Sequence, residues 1–166
     1  MSKSDLETRS REKPNVNRDD IRRGLETLGV RPGDLLVVHS SLSSFGYVEG
    51  GADAVIDGVL EAVGERGTVI ITTATDCDKF DFEAYDPATT PVRKDIGTIP
   101  DTFWRRPDVR RGTYPPRHSW AGKGLLSDGI IEYSENHPIE AGNFLDMLRV
   151  IAELDGRVLL MGCGNR

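Results

Sequence analysis

The chain has 166 residues, which is enough for one hydrophobic core, so a single domain is expected. A formal net charge of −6 argues against a nucleic-acid partner, because a phosphate-binding face needs an excess of basic residues, and it favours a cationic ligand. No apolar run reaches the ~20 residues that cross a bilayer and no apolar leader is present, which predicts a cytoplasmic protein with no membrane partner. Cys77 and Cys163 are far apart and lack metal-ligand spacing, so free thiols and no metal site are expected.

The N-terminal residues, 1–17, are polar and lack periodic apolar positions, which predicts a disordered tail before one α/β domain over residues 18–166. The domain is predicted to begin with a helix that is capped by Asn17 or Asp19 and ends at Gly29. The apolar face of that helix is predicted to consist of Ile21, Leu25 and Leu28.

A strand, a helix and a second strand follow in the next forty residues. The apolar runs at 35–39 and 68–73 are typical of strands buried on both faces. Between them, five apolar residues recur at helical spacing, which predicts a helix that ends at Gly64. These residues are Ala52, Val55, Ile56, Val59 and Val63. The order predicts a βαβ unit with a parallel strand pair.

Residues 75–127 contain six prolines and lose regular periodicity, which predicts a long irregular loop region with a functional role. A helix from Asn143 and a buried strand at 157–161 are predicted after it. Because that strand lies so close to Arg166, we expect the domain to be incomplete at its C-terminus. An uncovered sheet edge would make such a chain poorly stable or a homo-oligomer.

Small hydroxyl residues dominate the segment after the first predicted strand. Ser40, Ser41, Ser43 and Gly46 would allow backbone N–H groups to approach an anion, such as the pyrophosphate or pantetheine arm of a cofactor. The same spacing is also typical of an ordinary strand-to-helix turn with serine caps.

Acidic and aromatic residues alternate at the start of the long loop. Carboxylates beside rings would suit a polycationic sugar, because the acids pair with ammonium groups while the rings cover the sugar faces. A solvated acidic loop is the alternative, and the pattern alone favours it. The substrate-binding candidates in this segment are Asp76, Asp78, Tyr85 and Asp86.

Five arginines lie between residues 105 and 117, and their forked guanidinium groups suit phosphate oxygens; Arg111 is the cofactor-binding candidate among them. His118 is the candidate general base, because an imidazole with a pKa near ~6.5 accepts protons around neutral pH. Structural roles are the alternative for these side chains, and they are expected for His39 and His137.

Several motifs in order and spacing resemble the aminoglycoside 3-N-acetyltransferase family, from residue 18 to the end of the chain. They are Leu28-Gly29-Val30-Arg31-Pro32-Gly33-Asp34, Val38-His39-Ser40-Ser41-Leu42-Ser43-Ser44-Phe45-Gly46, Gly50-Gly51-Ala52, Gly67-Thr68, Tyr85-Asp86-Pro87, Asp95-Ile96-Gly97-Thr98-Ile99-Pro100 and Arg117-His118-Ser119-Trp120-Ala121-Gly122-Lys123-Gly124. The resemblance implies an α/β/α sandwich of three layers with a mostly parallel central sheet. It also implies acetyl transfer from acetyl-CoA to the 3-amino group of an aminoglycoside or a similar amine.

In the family that the chain resembles, the serine-rich loop contacts the CoA arm. The resemblance therefore implies cofactor contacts from Ser40, Ser41, Leu42, Ser43, Gly46, Arg111 and Ser119. Two departures from the family pattern are Pro115-Pro116 in place of a His-Pro pair, and Asp101 in place of a glutamate. Members of the family continue past the last strand with catalytic His and Glu residues, so the resemblance implies a truncated enzyme of reduced activity. The alternatives are a non-catalytic CoA- or ligand-binding remnant of the family and an unrelated phosphate-binding α/β domain.

Overall fold

The computed structural model describes residues 15–77, 81, 83–113, 119–136 and 143–163, with the side chains of 143–146 excepted. Most of the predicted N-terminal tail, residues 1–14, lies outside this range. Asn15–Val16 form a short strand, β1, which pairs in parallel with β3 (Tyr47–Val48). The described part of the chain therefore begins two residues before Asn17.

Helix α1 (Arg18–Thr27) begins at the predicted cap. The Asn17 side chain accepts from the Asp20 N–H, and the Asp20 carboxylate accepts from the Asn17 N–H, each at 3.1 Å. Ile21 and Leu25 are buried as predicted. The prediction for Leu28 was wrong: it is 74% exposed, because it caps the helix end and does not continue the buried face.

The predicted βαβ unit is confirmed. Strand β2 (Leu35–Ser40) and strand β4 (Thr68–Thr72) are parallel, with Leu35 opposite Thr68, and helix α2 (Gly51–Val63) connects them. The apolar side chains that predicted α2 are all buried. Each fully buried apolar side chain stabilises the fold by roughly 1.5–3 kcal/mol, and this burial fixes the loop between β2 and α2 on a rigid support.

The central sheet is mixed, so the prediction of a mostly parallel sheet is not confirmed. Its order is β5 (Arg110–Arg111), β6 (Trp120–Gly124), β4, β2 and β7 (Arg157–Met161). Strand β2 pairs in parallel with β4 and β7, whereas β6 is antiparallel to both β4 and β5. The chain returns from the long loop region through β6, in the direction opposite to its neighbour β4.

Helices cover both faces of the inner strands of the sheet. The prediction that strand 157–161 is buried was wrong: β7 is an edge strand, with Val158 55% and Leu160 49% exposed. Leu36 and Val38 of β2 face a core cluster formed with α1, α2 and helix α3 (Thr98–Trp104). Leu35 and Val37 face a second cluster with helices α4 (Ser127–Asn136) and α5 (Asn143–Glu153). This alternation is what a strand buried on both faces requires.

The predicted irregular region was only partly right. Within residues 75–127 the structure contains α3, β5 and β6. Pro100 does not prevent α3, because it lies in the first turn, where its missing N–H has no helical acceptor. None of the helices among the described residues is both long enough and apolar enough to cross a membrane.

Candidate functional site

A bend rich in serine, residues 40–46, leaves the carboxyl end of β2; we call it the serine turn. Leu42–Phe45 form a short 3₁₀ helix, and Gly46 takes a φ of 85° that favours glycine. The Ser41 N–H donates to the Met161 carbonyl at the end of β7, 2.9 Å away. The serine turn is therefore attached to two neighbouring parallel strands.

The hydroxyl groups of the serine turn lie close together. Ser41 Oγ is 3.3 Å from Ser43 Oγ and 3.2 Å from Ser44 Oγ. Ser44 Oγ also approaches the Gly162 carbonyl at 2.6 Å, as a donor. Ser40 Oγ is buried and has no hydrogen-bond partner among the described residues. An unpaired buried hydroxyl costs free energy, so Ser40 has hydrogen-bonding capacity that the described residues do not use.

Leu42 belongs to the serine turn but lies partly against the core. Its side chain packs on the cluster that contains α2 and α3, as does that of Phe45. These two apolar contacts anchor the 3₁₀ helix, while Ser43 and Ser44 are exposed. The polar groups of the serine turn therefore lie on a rigid support.

A cleft of about 590 Å³ opens at the carboxyl ends of β2, β4 and β7. Its polar lining comes from His39, Ser40, Thr72, Asp95 and Cys163. In open α/β sheets ligands bind beyond the carboxyl ends of the parallel strands, where the connections diverge. Here β2 lies between β4 and β7, and the helices α2 and α5 lie on opposite faces.

His39 and Asp95 were not predicted as site residues, although both line the cleft. Burial lowers the pKa of His39, so its imidazole is neutral at pH 7 and can accept a proton or a hydrogen bond. Arg93 holds the Asp95 carboxylate with two hydrogen bonds of 2.9 and 2.7 Å and lowers its pKa. His39 was expected to have a structural role; its position at the end of a predicted strand is the sequence signal that could have placed it in the cleft.

Asp86 is an exposed carboxylate in a tight turn. It accepts from the Ala88 N–H at 2.8 Å and from the Thr89 hydroxyl at 2.9 Å, which lowers its pKa. Asp76 is also exposed. Both carboxylates are exposed to solvent, and their contacts with a cationic ligand stay predictions. Asp78, another predicted substrate residue, lies outside the described residues. His118, the predicted base, also lies outside them.

Three other predicted site residues form a buried cluster. Tyr85, Arg111 and Ser119 are 7%, 8% and 0% exposed. The Tyr85 hydroxyl donates to the Gly112 carbonyl at 2.7 Å, and the Ser119 hydroxyl donates to the Thr73 carbonyl at 2.9 Å. Burial raises the pKa of the Tyr85 phenol. The structure thus brings these three residues together below the surface, and their ligand contacts stay predictions.

The fold is that of an α/β domain with its candidate site in a cleft beyond the ends of its parallel strands. The family model described as aminoglycoside 3-N-acetyltransferase matches residues 37–166. The chain is 38% identical over 141 residues to aminoglycoside N(3)-acetyltransferase IV from Salmonella sp, covering 85% of this chain and 51% of that protein. It is 32% identical over 165 residues to aminoglycoside N(3)-acetyltransferase VII from Streptomyces paromomycinus, covering 89% and 56%.

Solved structures give the same result. The crystal structure of the apoenzyme of aminoglycoside acetyltransferase AAC(3)-IVa matches with a TM-score of 0.78 and 34% identity, over 92% of this chain and 57% of that chain. AAC(3)-Xa matches with a TM-score of 0.78 and 33% identity, over 96% and 61%. The chain belongs to the aminoglycoside 3-N-acetyltransferase family. It spans about half the length of the curated relatives it matches.

Proposed function

We propose that this chain takes part in the transfer of an acetyl group from acetyl-CoA to the 3-amino group of an aminoglycoside. The observation that carries the proposal is the Ser40 hydroxyl, which is buried without a partner among the described residues where the serine turn leaves β2. A ligand oxygen or amide of the CoA arm would supply that partner. The family to which the chain belongs gives the reaction class.

The serine turn has the chemistry that the CoA arm requires. Pantetheine carries amide and carbonyl groups, and the pyrophosphate carries oxygens, all of which pair with hydroxyl and N–H groups. Ser41 and Ser43 present hydroxyls next to Ser40, and the positive φ of Gly46 bends the backbone towards β3. We propose that the predicted contacts from Ser40 to Gly46 hold the carrier in this turn.

The exposed carboxylates support an aminoglycoside as the acceptor. AAC(3)-IVa has been solved as a variant in complex with a gentamicin, and this chain matches that structure with 33% identity and a TM-score of 0.79. Asp86 and Asp95 stay ionised at acidic pH because hydrogen bonds lower the pKa of each. They would pair with ammonium groups of the sugar rings, while the charge of −6 attracts the polycation.

In the proposed reaction the free amine attacks the thioester carbonyl carbon. The new C–N bond forms, the C–S bond breaks, and the amine proton passes to a base while the CoA thiolate leaves. His118 remains the predicted base. The part of the site described here contributes by holding the two reactants in register, which removes much of the entropic barrier.

Calorimetry with acetyl-CoA and with gentamicin, together with an assay of thiol release, tests this proposal. Both ligands should bind the wild-type chain. Asp86→Asn keeps a side-chain oxygen for the turn and loses the charge, so gentamicin affinity should fall by about fivefold while acetyl-CoA affinity stays unchanged. Asp19→Asn, on the exposed start of α1, is the matched control and should change neither affinity.

The outcomes separate the candidate functions. Binding of both ligands with thiol release supports the enzyme. Binding of acetyl-CoA without thiol release supports a non-catalytic remnant of the same family. A chain that binds no acetyl-CoA contradicts both.

A further inference from the structure

Arg111 is a buried cation whose partners are neutral. Its guanidinium donates from Nε to Thr73 Oγ1 at 3.1 Å and from Nη2 to the Thr73 carbonyl at 3.0 Å. Nη1 donates to the carbonyls of Thr90, at 2.5 Å, and Pro87, at 3.4 Å. Among the described residues, no carboxylate forms an ion pair with Arg111, and burial lowers its pKa. Keeping such a charge in the interior is costly unless its hydrogen bonds are complete.

Two aromatic rings complete the environment of the guanidinium. Its central carbon lies 4.4 Å from the centre of the Trp104 ring and 5.4 Å from that of Tyr85. Aromatic faces stabilise a cation that has been removed from water. Arg111 therefore joins the end of β4, the end of α3 and the segment 85–90 at one point.

The segment 85–90 is the one that carries Asp86. The carbonyls of Pro87 and Thr90, both in this segment, accept from the same nitrogen, Nη1 of Arg111. The position of the segment 85–90 therefore depends on Arg111. The Tyr85 hydroxyl fixes the start of the segment to Gly112, next to Arg111 on the chain. Four of the five N–H donors of the guanidinium are occupied in this way, which leaves little capacity for a phosphate.

We propose that Arg111 is a positioning residue: it holds the segment 85–90 so that Asp86 faces the cationic substrate, and it does not bind the phosphates of the cofactor. This rests on the proposed function for the role of Asp86. A lysine could not replace it, because a single ammonium cannot reach acceptors on separate backbone segments in fixed planar directions.

The test compares Arg111→Lys with Arg110→Lys. Arg110 is the adjacent residue of β5, and its guanidinium pairs with Glu135 at 2.7 Å, away from the segment 85–90. Amide hydrogen exchange at Ala88 and Thr90 is measured together with the affinities for gentamicin and acetyl-CoA. Arg111→Lys should speed exchange at both amides and weaken gentamicin binding by about tenfold, with acetyl-CoA affinity within about twofold of wild type. Arg110→Lys should change none of these.

Hydrogen exchange tests the role of Arg111, and gentamicin binding by the wild-type chain tests the proposed function. A loss of acetyl-CoA affinity with unchanged exchange would overturn the inference, and so would unchanged exchange with unchanged affinities. If the wild-type chain binds no gentamicin, the proposed function fails, and the exchange rates alone decide whether Arg111 holds the segment. If Arg111→Lys does not fold, Thr73→Val is tested in its place. It removes Thr73 Oγ1, the acceptor of one of the four hydrogen bonds from the Arg111 guanidinium. It should then give a smaller effect in the same direction, and wild-type exchange in this variant would overturn the inference.

Discussion

Replacing Gly162 by alanine should strongly weaken acetyl-CoA binding, because this glycine fixes the serine turn against the end of β7. Its φ is 69°, which costs a residue with a side chain about 1–2 kcal/mol. An added Cβ would also lie 2.4 Å from Ser44 Cβ and 3.3 Å from the Ser41 carbonyl oxygen. The serine turn would have to move, and the hydrogen bond from Ser44 Oγ to the Gly162 carbonyl would be lost. Calorimetry should show a loss of acetyl-CoA affinity of at least about tenfold.

Gly33→Ala is the matched control for this effect. Gly33 also has a positive φ, 97°, but an added Cβ would meet no atom within 4 Å. It should therefore lower the free energy of unfolding by a similar strain cost of about 1–2 kcal/mol while leaving acetyl-CoA affinity intact. Equal acetyl-CoA affinities for the two variants would show that the position of the serine turn does not matter for the cofactor.

Ser40→Ala should separate stability from binding. Because Ser40 Oγ is buried without a partner among the described residues, its removal relieves an unpaired hydroxyl, whose cost is about 1–3 kcal/mol. The variant should be as stable as the wild type or more stable, as measured by denaturant unfolding. Its acetyl-CoA affinity should fall by about tenfold, because the ligand loses its hydrogen bond to Ser40 Oγ at a position that water does not reach.

Ser44→Ala provides the comparison in the same serine turn. Ser44 Oγ already donates to the Gly162 carbonyl and approaches Ser41 Oγ, so its loss should lower the free energy of unfolding by about 1 kcal/mol. A destabilised Ser40→Ala that binds acetyl-CoA normally would mean that the Ser40 hydroxyl has a structural role only.

The sequence predicts the strands and helices whose apolar residues form a regular pattern. It misses those that form only through contacts with residues far away along the chain. Strands β2 and β4 were clear because each is a continuous apolar run, and helix α2 was clear because its apolar residues follow the helical period. Strand β6 reads Trp-Ala-Gly-Lys-Gly, which has no β-branched residue, and its pairing with β4 places Gly122 opposite Ile70. An added Cβ at Gly122 would lie 2.7 Å from the Ile70 side chain, so close packing selects glycine where strand propensity would not.

The candidate site shows the same division. The serine turn could be located because the apolar run of the strand before it is visible in the sequence. The roles of Tyr85, Arg111 and Ser119 could not be read from residue type, because each is a polar side chain whose burial depends on segments far apart along the chain. A phosphate-binding arginine and an arginine that holds carbonyls look identical in sequence. Only the acceptors around the guanidinium distinguish them.

A crystal structure of the chain with bound acetyl-CoA would show directly whether the serine turn holds the cofactor. Electron density for the pantetheine and pyrophosphate is expected along residues 40–46, with a ligand atom within hydrogen-bond distance of Ser40 Oγ. Density for the carrier anywhere else on the domain, with Ser40 Oγ still unpaired, would contradict it.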